Sequence, residues 1–313
     1  MLKHLLGIAE LNPQEINTIL EQAKKFQEVL SRPIPIVPAL RGKTVVNLFF
    51  EPSTRTATSF TLAATRLSAQ CINFSVAGSS TKKGESLLDT VANIEAMRVD
   101  GVVIRHTAAG TPHFLARRLN CFVVNAGDGR HEHPTQALLD AFTLRERLGS
   151  LTGKLVLIVG DIAHSRVARS NILCLNKLGA KVALCGPPTL IPAEIEKLGC
   201  AVFYRLDRIL YEADVILMLR LQVERMNANF IPSLREYRQF YGLTRERLLR
   251  LRENVVILHP GPVNWGVEMD YDLRELPQTL IMNQVNNGVA VRMAVLYLLA
   301  AGRGLLSEGE VNE

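Results

Sequence analysis

The residues most able to do chemistry come in three groups. Ser53, Thr54, Arg55 and Thr56 follow the apolar run NLFF and Glu51-Pro52, so one guanidinium stands among three hydroxyls where a strand gives way to a helix. Unpaired N–H groups at a helix start, hydroxyl donors and a permanent cation together bind phosphate. A plainer reading, a Ser or Thr N-cap, explains one hydroxyl and leaves the rest. NAGDGRHEHPTQ (125–136) brings His131 and His133 after a strand. A neutral imidazole there donates to a carbonyl oxygen that gains charge in a transition state, although a loop histidine or a helix cap reads equally well. DIAHSRVAR (161–169) and LRLQVER (219–225) supply arginines whose planar forks match carboxylates. Any one of these arginines alone reads as solvated or paired.

Other chemistries find no support. SSTKKGES (79–86) is a polar loop with two lysines but lacks the GxxxxGK order, and IVGDIAHSR has one glycine where a dinucleotide fingerprint needs three. There is no GxSxG elbow and no metal-ligand spacing, so neither a metal nor an organic cofactor is expected.

The elements that must position these groups are legible as alternation. Asn12-Pro13 opens an amphipathic helix with Ile16, Ile19, Leu20, Ala23, Phe26 and Leu30 on one face. Apolar runs at 44–50, 71–76, 101–105 and 121–126 then alternate with helical patterns at 54–68, 85–97, 111–119 and 134–148. A second series of runs follows at 154–161, 181–187, 201–206, 214–220 and 255–260, with helices expected in most gaps. Continuous β-branched runs separated by helices imply parallel strands covered on both faces. The expected fold is α/β with two domains, 1–133 and 134–285, each a parallel βα sheet with helices on both faces and the active site in the cleft between them. The C-terminal helix, 286–313, is expected to pack back onto the first domain. Polar clusters, His259 among them, lie just past strand ends, the ligand-binding edge of open α/β sheets.

Composition narrows the class. The 313 residues are 48% hydrophobic and 21% charged, and Lys+Arg exceed Asp+Glu by 36 − 30 = 6. The basic residues are scattered, which argues against nucleic-acid binding. No run approaches the roughly 20 apolar residues of a membrane span, and no signal peptide is read. Five cysteines without pairing signatures fit reduced thiols in a cytoplasmic protein.

FFEPSTRT, SSTKKGES, RHTAAG, GDGRHEHPTQ, VGDIAHSR, MLRLQVER, LHPGP and QVNNGVAVRMAVLYLL occur in one order over nearly the whole chain. In that order and spacing they resemble the aspartate carbamoyltransferases. The resemblance implies transfer of the carbamoyl group of carbamoyl phosphate to L-aspartate in pyrimidine biosynthesis. It further implies that Ser53, Thr54, Arg55 and Thr56 hold the phosphate, while Arg105, His133 and Gln136 surround the carbamoyl group. Ser79 (or Ser80, if the register differs) and Lys83 are residues lent by a neighbouring subunit, which implies a homotrimer with shared active sites. Arg166, Arg220 and Gln222, with Lys83 and the Pro260-Gly261-Pro262 backbone, bind aspartate. Glu51 pairs with Arg166 and Arg225 on domain closure. The catalytic set so implied is Arg55, Thr56, Lys83, Arg105 and His133.

Two departures stand out. The family usually has arginine at 57 and glutamate at 61, helical i,i+4 neighbours, where this chain has Ala57 and Thr61. Loss of both strands no charge, so a compensated structural change is expected. Trp265 stands where many relatives have arginine. An ornithine carbamoyltransferase should carry HCLP and a carboxylate for a cationic side chain; HPGP and RLQ favour aspartate. A non-catalytic relative is the other alternative. A separate regulatory chain or a dihydroorotase partner is compatible with the chain.

Overall fold

The computed structural model describes residues 2–75, 86–222 and 230–306. The chain forms two compact units, one built from the residues up to Leu139 and from Asn286 onward, the other from Asp140–Val285.

In the first unit, α1 (Pro13–Leu30) opens with a capping box: Glu15 N donates to Asn12 Oδ1 at 2.8 Å, and Asn12 N donates to Glu15 Oε2 at 2.9 Å. Four parallel strands, β1 (Thr44–Phe49), β2 (Gln70–Ser75), β3 (Gly101–His106) and β4 (Phe122–Asp128), lie in the order β2-β1-β3-β4. Helices α2 (Thr54–Arg66), α3 (Leu87–Ala96) and α4 (Thr111–Ala116) connect them. β2 is laid on one side of β1 and β3 on the other, so right-handed crossovers put helices on both faces. The strands are accordingly buried almost throughout, with Val46, Leu48, Val102, Ile104 and Val123 in one core with Val91, Ile94 and Leu115. Each large side chain so buried contributes roughly 1.5–3 kcal/mol. Leu5 extends the sheet beside β4 through Leu5 N to Val123 O (2.9 Å) and Asn125 N to Leu5 O (2.8 Å). Within SSTKKGES only Ser86 is described; it caps α3 by accepting from Asp89 N at 3.2 Å.

The chain passes into the second unit within α5 (Pro134–Leu148). Five parallel strands follow: β5 (Leu155–Val159), β6 (Lys181–Cys185), β7 (Cys200–Phe203), β8 (Val215–Met218) and β9 (Val256–Leu258), in the order β7-β6-β5-β8-β9. α6 (Arg166–Lys177) joins β5 to β6. The expectation of helices in most gaps fails for the next two connections, which hold only short 3-10 turns at Pro188–Leu190, Ile195–Leu198, Leu206–Arg208 and Leu210–Glu212. Pro187, Pro188 and Pro192 deny that first segment the N–H groups a helix needs. β8 leads to α7 (Leu234–Tyr241) and α8 (Arg245–Leu248). Arg247 ties these helices down: Nε and Nη2 donate to Asp207 Oδ1 and Oδ2 at 2.8 and 3.0 Å, and Nη1 to Gly242 O at 2.6 Å.

The last helix, α9 (Ile281–Ala301), starts earlier than the periodicity indicates. From Asn286 onward it belongs to the first unit, where Gln27 Nε2 donates to Asn287 Oδ1 at 3.1 Å and Arg292 Nη1 to Ser59 Oγ at 2.8 Å. Phe26 and Tyr297 meet edge to face at 5.6 Å. Among the described residues no helix is long and apolar enough to cross a membrane.

Candidate active site

In the first unit the strand order reverses between β1 and β3, the switch point at which open α/β sheets bind ligands. The two strand ends are held level by Phe49–Arg105 pairing and by Phe50 N donating to Arg105 O at 2.8 Å. Beyond them come Glu51–Thr56 and Arg105–His106. α2 begins at Thr54, and the Ser53 side chain at its N-cap makes no capping hydrogen bond. The N-cap reading of that hydroxyl therefore does not hold. The first helical bond is Ala57 N to Ser53 O at 3.0 Å, so the amides of Thr54, Arg55 and Thr56 precede the helix's own acceptors. Thr56 is buried and Arg55 exposed. A guanidinium, hydroxyls and the first amides of a helix thus share one helix start.

Arg105 Nε lies 3.2 Å from Glu51 Oε2, each side chain 14% exposed, and Arg105 Nη1 donates to Ala126 O at 3.4 Å. Glu51 is thus paired with Arg105 of its own domain. The reason is adjacency: both follow neighbouring strand ends, and a half-buried carboxylate takes the nearest guanidinium. Arg225, Ser79, Ser80 and Lys83 lie outside the described residues.

Next to Arg105, His106 Nδ1 accepts from Ala108 N at 2.9 Å, and burial holds the imidazole below its ordinary 6.5. The third contribution is the loop from β4 to α5. Asp128, fully buried, accepts at Oδ1 from Asn125 Nδ2 (2.8 Å) and Glu132 N (3.0 Å), and at Oδ2 from Gly110 N (2.7 Å). Glu132 in turn accepts from Ile8 N at 2.8 Å and Ala9 N at 3.2 Å. Gly129, at φ +51°, passes so close to Thr107 that a Cβ would sit 2.6 Å from its carbonyl oxygen. These restraints hold His133 and Gln136 at the start of α5, where Gln136 N donates to His133 O at 3.0 Å and both residues are buried.

The second unit repeats the arrangement at β5 and β8, where its strand order reverses. Arg166 is the first residue of α6, only 4% exposed, behind a Ser165 cap that accepts from Ala168 N at 3.1 Å. Arg220 and Gln222 follow β8. Asp161 links the two ends: its Oδ1 takes His164 N (3.1 Å) and His164 Nδ1 (2.8 Å), and its Oδ2 takes Gln222 N at 3.4 Å. Gln222 Nε2 donates to His164 O at 3.2 Å. Gly160, at φ +128°, packs beneath this corner, where a Cβ would meet Tyr237 Oη at 2.9 Å.

Glu268, fully buried, fastens the loop after β8 to the HPGP loop after β9. Its Oε1 accepts from Leu221 N (2.7 Å) and Asn264 Nδ2 (2.6 Å), and its Oε2 from Asn264 N (2.8 Å) and His259 Nε2 (3.1 Å). His259 Nδ1 accepts from Gly261 N at 2.8 Å, so the ring is neutral with its proton on Nε2. The Pro260-Gly261-Pro262 backbone, with a cis Gly261-Pro262 bond, is set by this pair. Sequence reading assigned no role to Asp128, Glu132, Asp161 or Glu268. Their sole signal was position, inside or next to the motifs they hold.

Comparison with known proteins agrees with both halves. The family described as "Aspartate/ornithine carbamoyltransferase, carbamoyl-P binding domain" matches residues 3–146, and its "Asp/Orn binding domain" matches residues 152–299. The chain is 58% identical over 297 residues to an aspartate carbamoyltransferase catalytic subunit of Syntrophobacter fumaroxidans, covering 95% of this chain and 97% of that protein. It is 56% identical over 301 residues to that of Cytophaga hutchinsonii, covering 96% and 98%. Among solved structures it resembles aspartate transcarbamoylase of Trypanosoma cruzi in complex with carbamoyl phosphate and aspartate, with TM-score 0.85, 28% identity and 94% and 96% of the two chains covered. The catalytic subunit of M. Jannaschii aspartate transcarbamoylase gives TM-score 0.83 at 34% identity, with 96% and 99% covered. Matched in both of its domains and along nearly all of its length, the chain belongs to the aspartate/ornithine carbamoyltransferase family.

Proposed function

We propose that this protein transfers the carbamoyl group of carbamoyl phosphate to the α-amino group of L-aspartate, giving N-carbamoyl-L-aspartate and phosphate in pyrimidine biosynthesis. One observation decides between aspartate and ornithine. In the second unit the buried carboxylates at the β5, β8 and β9 ends, Asp161 and Glu268, accept from backbone amides, histidines and Asn264, while Arg166 and Arg220 stand at the same strand ends. Guanidiniums there suit a dicarboxylate, and the acids that would greet an ornithine ammonium are engaged elsewhere.

In this reading Ser53, Thr54, Arg55 and Thr56, with Ser79 and Lys83, hold the phosphate. Arg105, His133 and Gln136 surround the carbamoyl group. Arg166, Arg220 and Gln222, with Lys83 and the Pro260-Gly261-Pro262 backbone, take the aspartate carboxylates. The deprotonated amine attacks the carbamoyl carbon, and Thr56, Arg105 and His133 stabilise the oxygen that becomes negative. The C–O bond to phosphate then breaks, Arg55 and Lys83 balance the leaving charge, and phosphate takes the amine proton. Glu51 releases Arg105 as substrate arrives and turns to Arg166 and Arg225 on closure.

The active species is a cytoplasmic homotrimer in which one subunit lends Ser79 and Lys83 to its neighbour's site, and it is able to associate with a regulatory chain or a dihydroorotase. Support for self-association comes from the first unit, where Leu62 on α2, Ile72 on the edge strand β2, Leu88 in the first turn of α3 and Met97 just after its end are exposed apolar side chains. The test is a paired assay with carbamoyl phosphate plus L-aspartate or L-ornithine. Carbamoyl-aspartate in the first arm alone is expected; citrulline in the second, or silence in both, overturns the reading.

A further inference from the structure

A polar cluster centred on buried Asn47 lies under the start of α2, and the reaction as proposed does not use it. Asn47 sits in the middle of β1, 1% exposed between buried Val46 and Leu48. Its Nδ2 donates to Asn73 Oδ1 on β2 at 2.8 Å and to Thr61 Oγ1 on α2 at 3.1 Å. The same nitrogen is 3.3 Å from Cys71 Sγ and 3.5 Å from the Ala57 carbonyl oxygen. Thr61 Oγ1 is 3.0 Å from the Ala57 carbonyl oxygen and 3.0 Å from Asn73 Oδ1. A buried amide nitrogen costs free energy in such a place unless it is paired, so the Nδ2 bonds must be kept. Those bonds join three elements, β1, α2 and β2, at the level where the helix starts.

The contact with Ala57 gives the cluster its consequence. Ala57 directly follows Thr56, so the Thr61 hydroxyl is bonded to the turn that presents Ser53–Thr56. The family's arginine and glutamate at 57 and 61 would carry charge at this spot; this chain has a neutral hydroxyl linked to two amides instead. We infer that Thr61, held by Asn47 and Asn73, is a positioning residue for carbamoyl phosphate: it fixes the height and rotation of the first turn of α2 against the sheet. The inference rests on the reading of Ser53–Thr56 as the phosphate cradle. The same turn carries Arg55 and Thr56, which act on the leaving charge and on the oxygen that becomes negative, so loosening it weakens carbamoyl-phosphate binding and also lowers turnover at saturation.

The test is Thr61→Val, which keeps the shape and removes the hydroxyl, beside Thr61→Ser, which keeps the hydroxyl. Calorimetry with carbamoyl phosphate in the cold is read together with steady-state rates. Thr61→Val should weaken carbamoyl-phosphate binding about tenfold, roughly 1.4 kcal/mol. The kcat should fall severalfold while the KM for aspartate stays within about twofold, and Thr61→Ser should bind and turn over like wild type. Asn73→Ala, on the edge strand, should show the same split and carries the test if Thr61→Val does not fold. Wild-type affinity in Thr61→Val, or equal losses in Thr61→Ser and Thr61→Val, overturns the inference alone. A wild-type chain that does not bind carbamoyl phosphate overturns the functional reading and the inference with it.

Discussion

Arg105 illustrates what one residue has to do here. Its guanidinium sits half-buried beside Glu51, and in the proposed reaction it must turn to an oxygen that gains charge. Arg105→Ala should lower kcat by about 10²–10³, or about 2.7–4 kcal/mol of barrier, with product formation at saturating substrates as the measurement. Its neighbour His106 gives a pH signature. Burial depresses its folded-state pKa below 6.5, so the stability it contributes is present above 6.5 and lost as pH falls through the folded value. Protonation at Nδ1 would also break the bond from Ala108 N. An NMR titration should place His106 below 6.5, and His106→Asn should flatten the loss of thermal stability between pH 7 and pH 5. A midpoint at or above 6.5 would contradict this. Residue-scale legibility was uneven: the phosphate cradle could be read because its polar side chains are consecutive, whereas the Glu51–Arg105 pair depends on two strands lying side by side.

Between elements, buried carboxylates act as ties. Glu268 gathers two loops through four hydrogen bonds, and an amide in its place would set a donor against donors. Glu268→Gln should cost about 2–4 kcal/mol of stability in urea titrations and raise the KM for aspartate more than that for carbamoyl phosphate. A different tie joins the turn after β7 to α8. The Arg247 hydrogen bonds hold the Asp207 carboxyl below its usual range, so its contribution is present above about 3.8 and lost as pH falls through the folded value. Asp207→Asn should therefore lower the melting temperature at pH 7, and the difference from wild type should shrink as pH falls below about 3.8 through the folded value. The nine strands among the described residues were legible from apolar runs, since burial on both faces writes an unbroken pattern. The strand order and the 3-10 connections were not, because crossover placement and short turns leave little periodicity. Glu132 and Glu268 escaped notice for a related reason: Glu132 bonds Ile8 across 124 positions and Glu268 bonds Leu221 across 47, and no local pattern marks such partners.

At the scale of the molecule, Cys121, Cys174, Cys185 and Cys200 are buried and Cys71 partly so. Burial pushes the Cys121 and Cys200 thiols up to about 11 and that of Cys185 up to about 12. At pH 7 a thiol of that kind is about one part in ten thousand thiolate or less, so native protein should react slowly with a disulfide reagent and denatured protein at all five cysteines. Fast stoichiometric labelling of the native chain would contradict this. The first unit also has a history in time. It takes its residues from the chain up to Leu139 and from Asn286 onward, with the whole of Asp140–Val285 in between. At about 5–20 residues per second a ribosome needs roughly 7–30 s to cross that interval. Ser59 waits for Arg292, and Phe26 for Tyr297, longer than that. The later-made second unit, drawn from one uninterrupted stretch, is free to finish first, so the domain begun earliest is the last to close during synthesis.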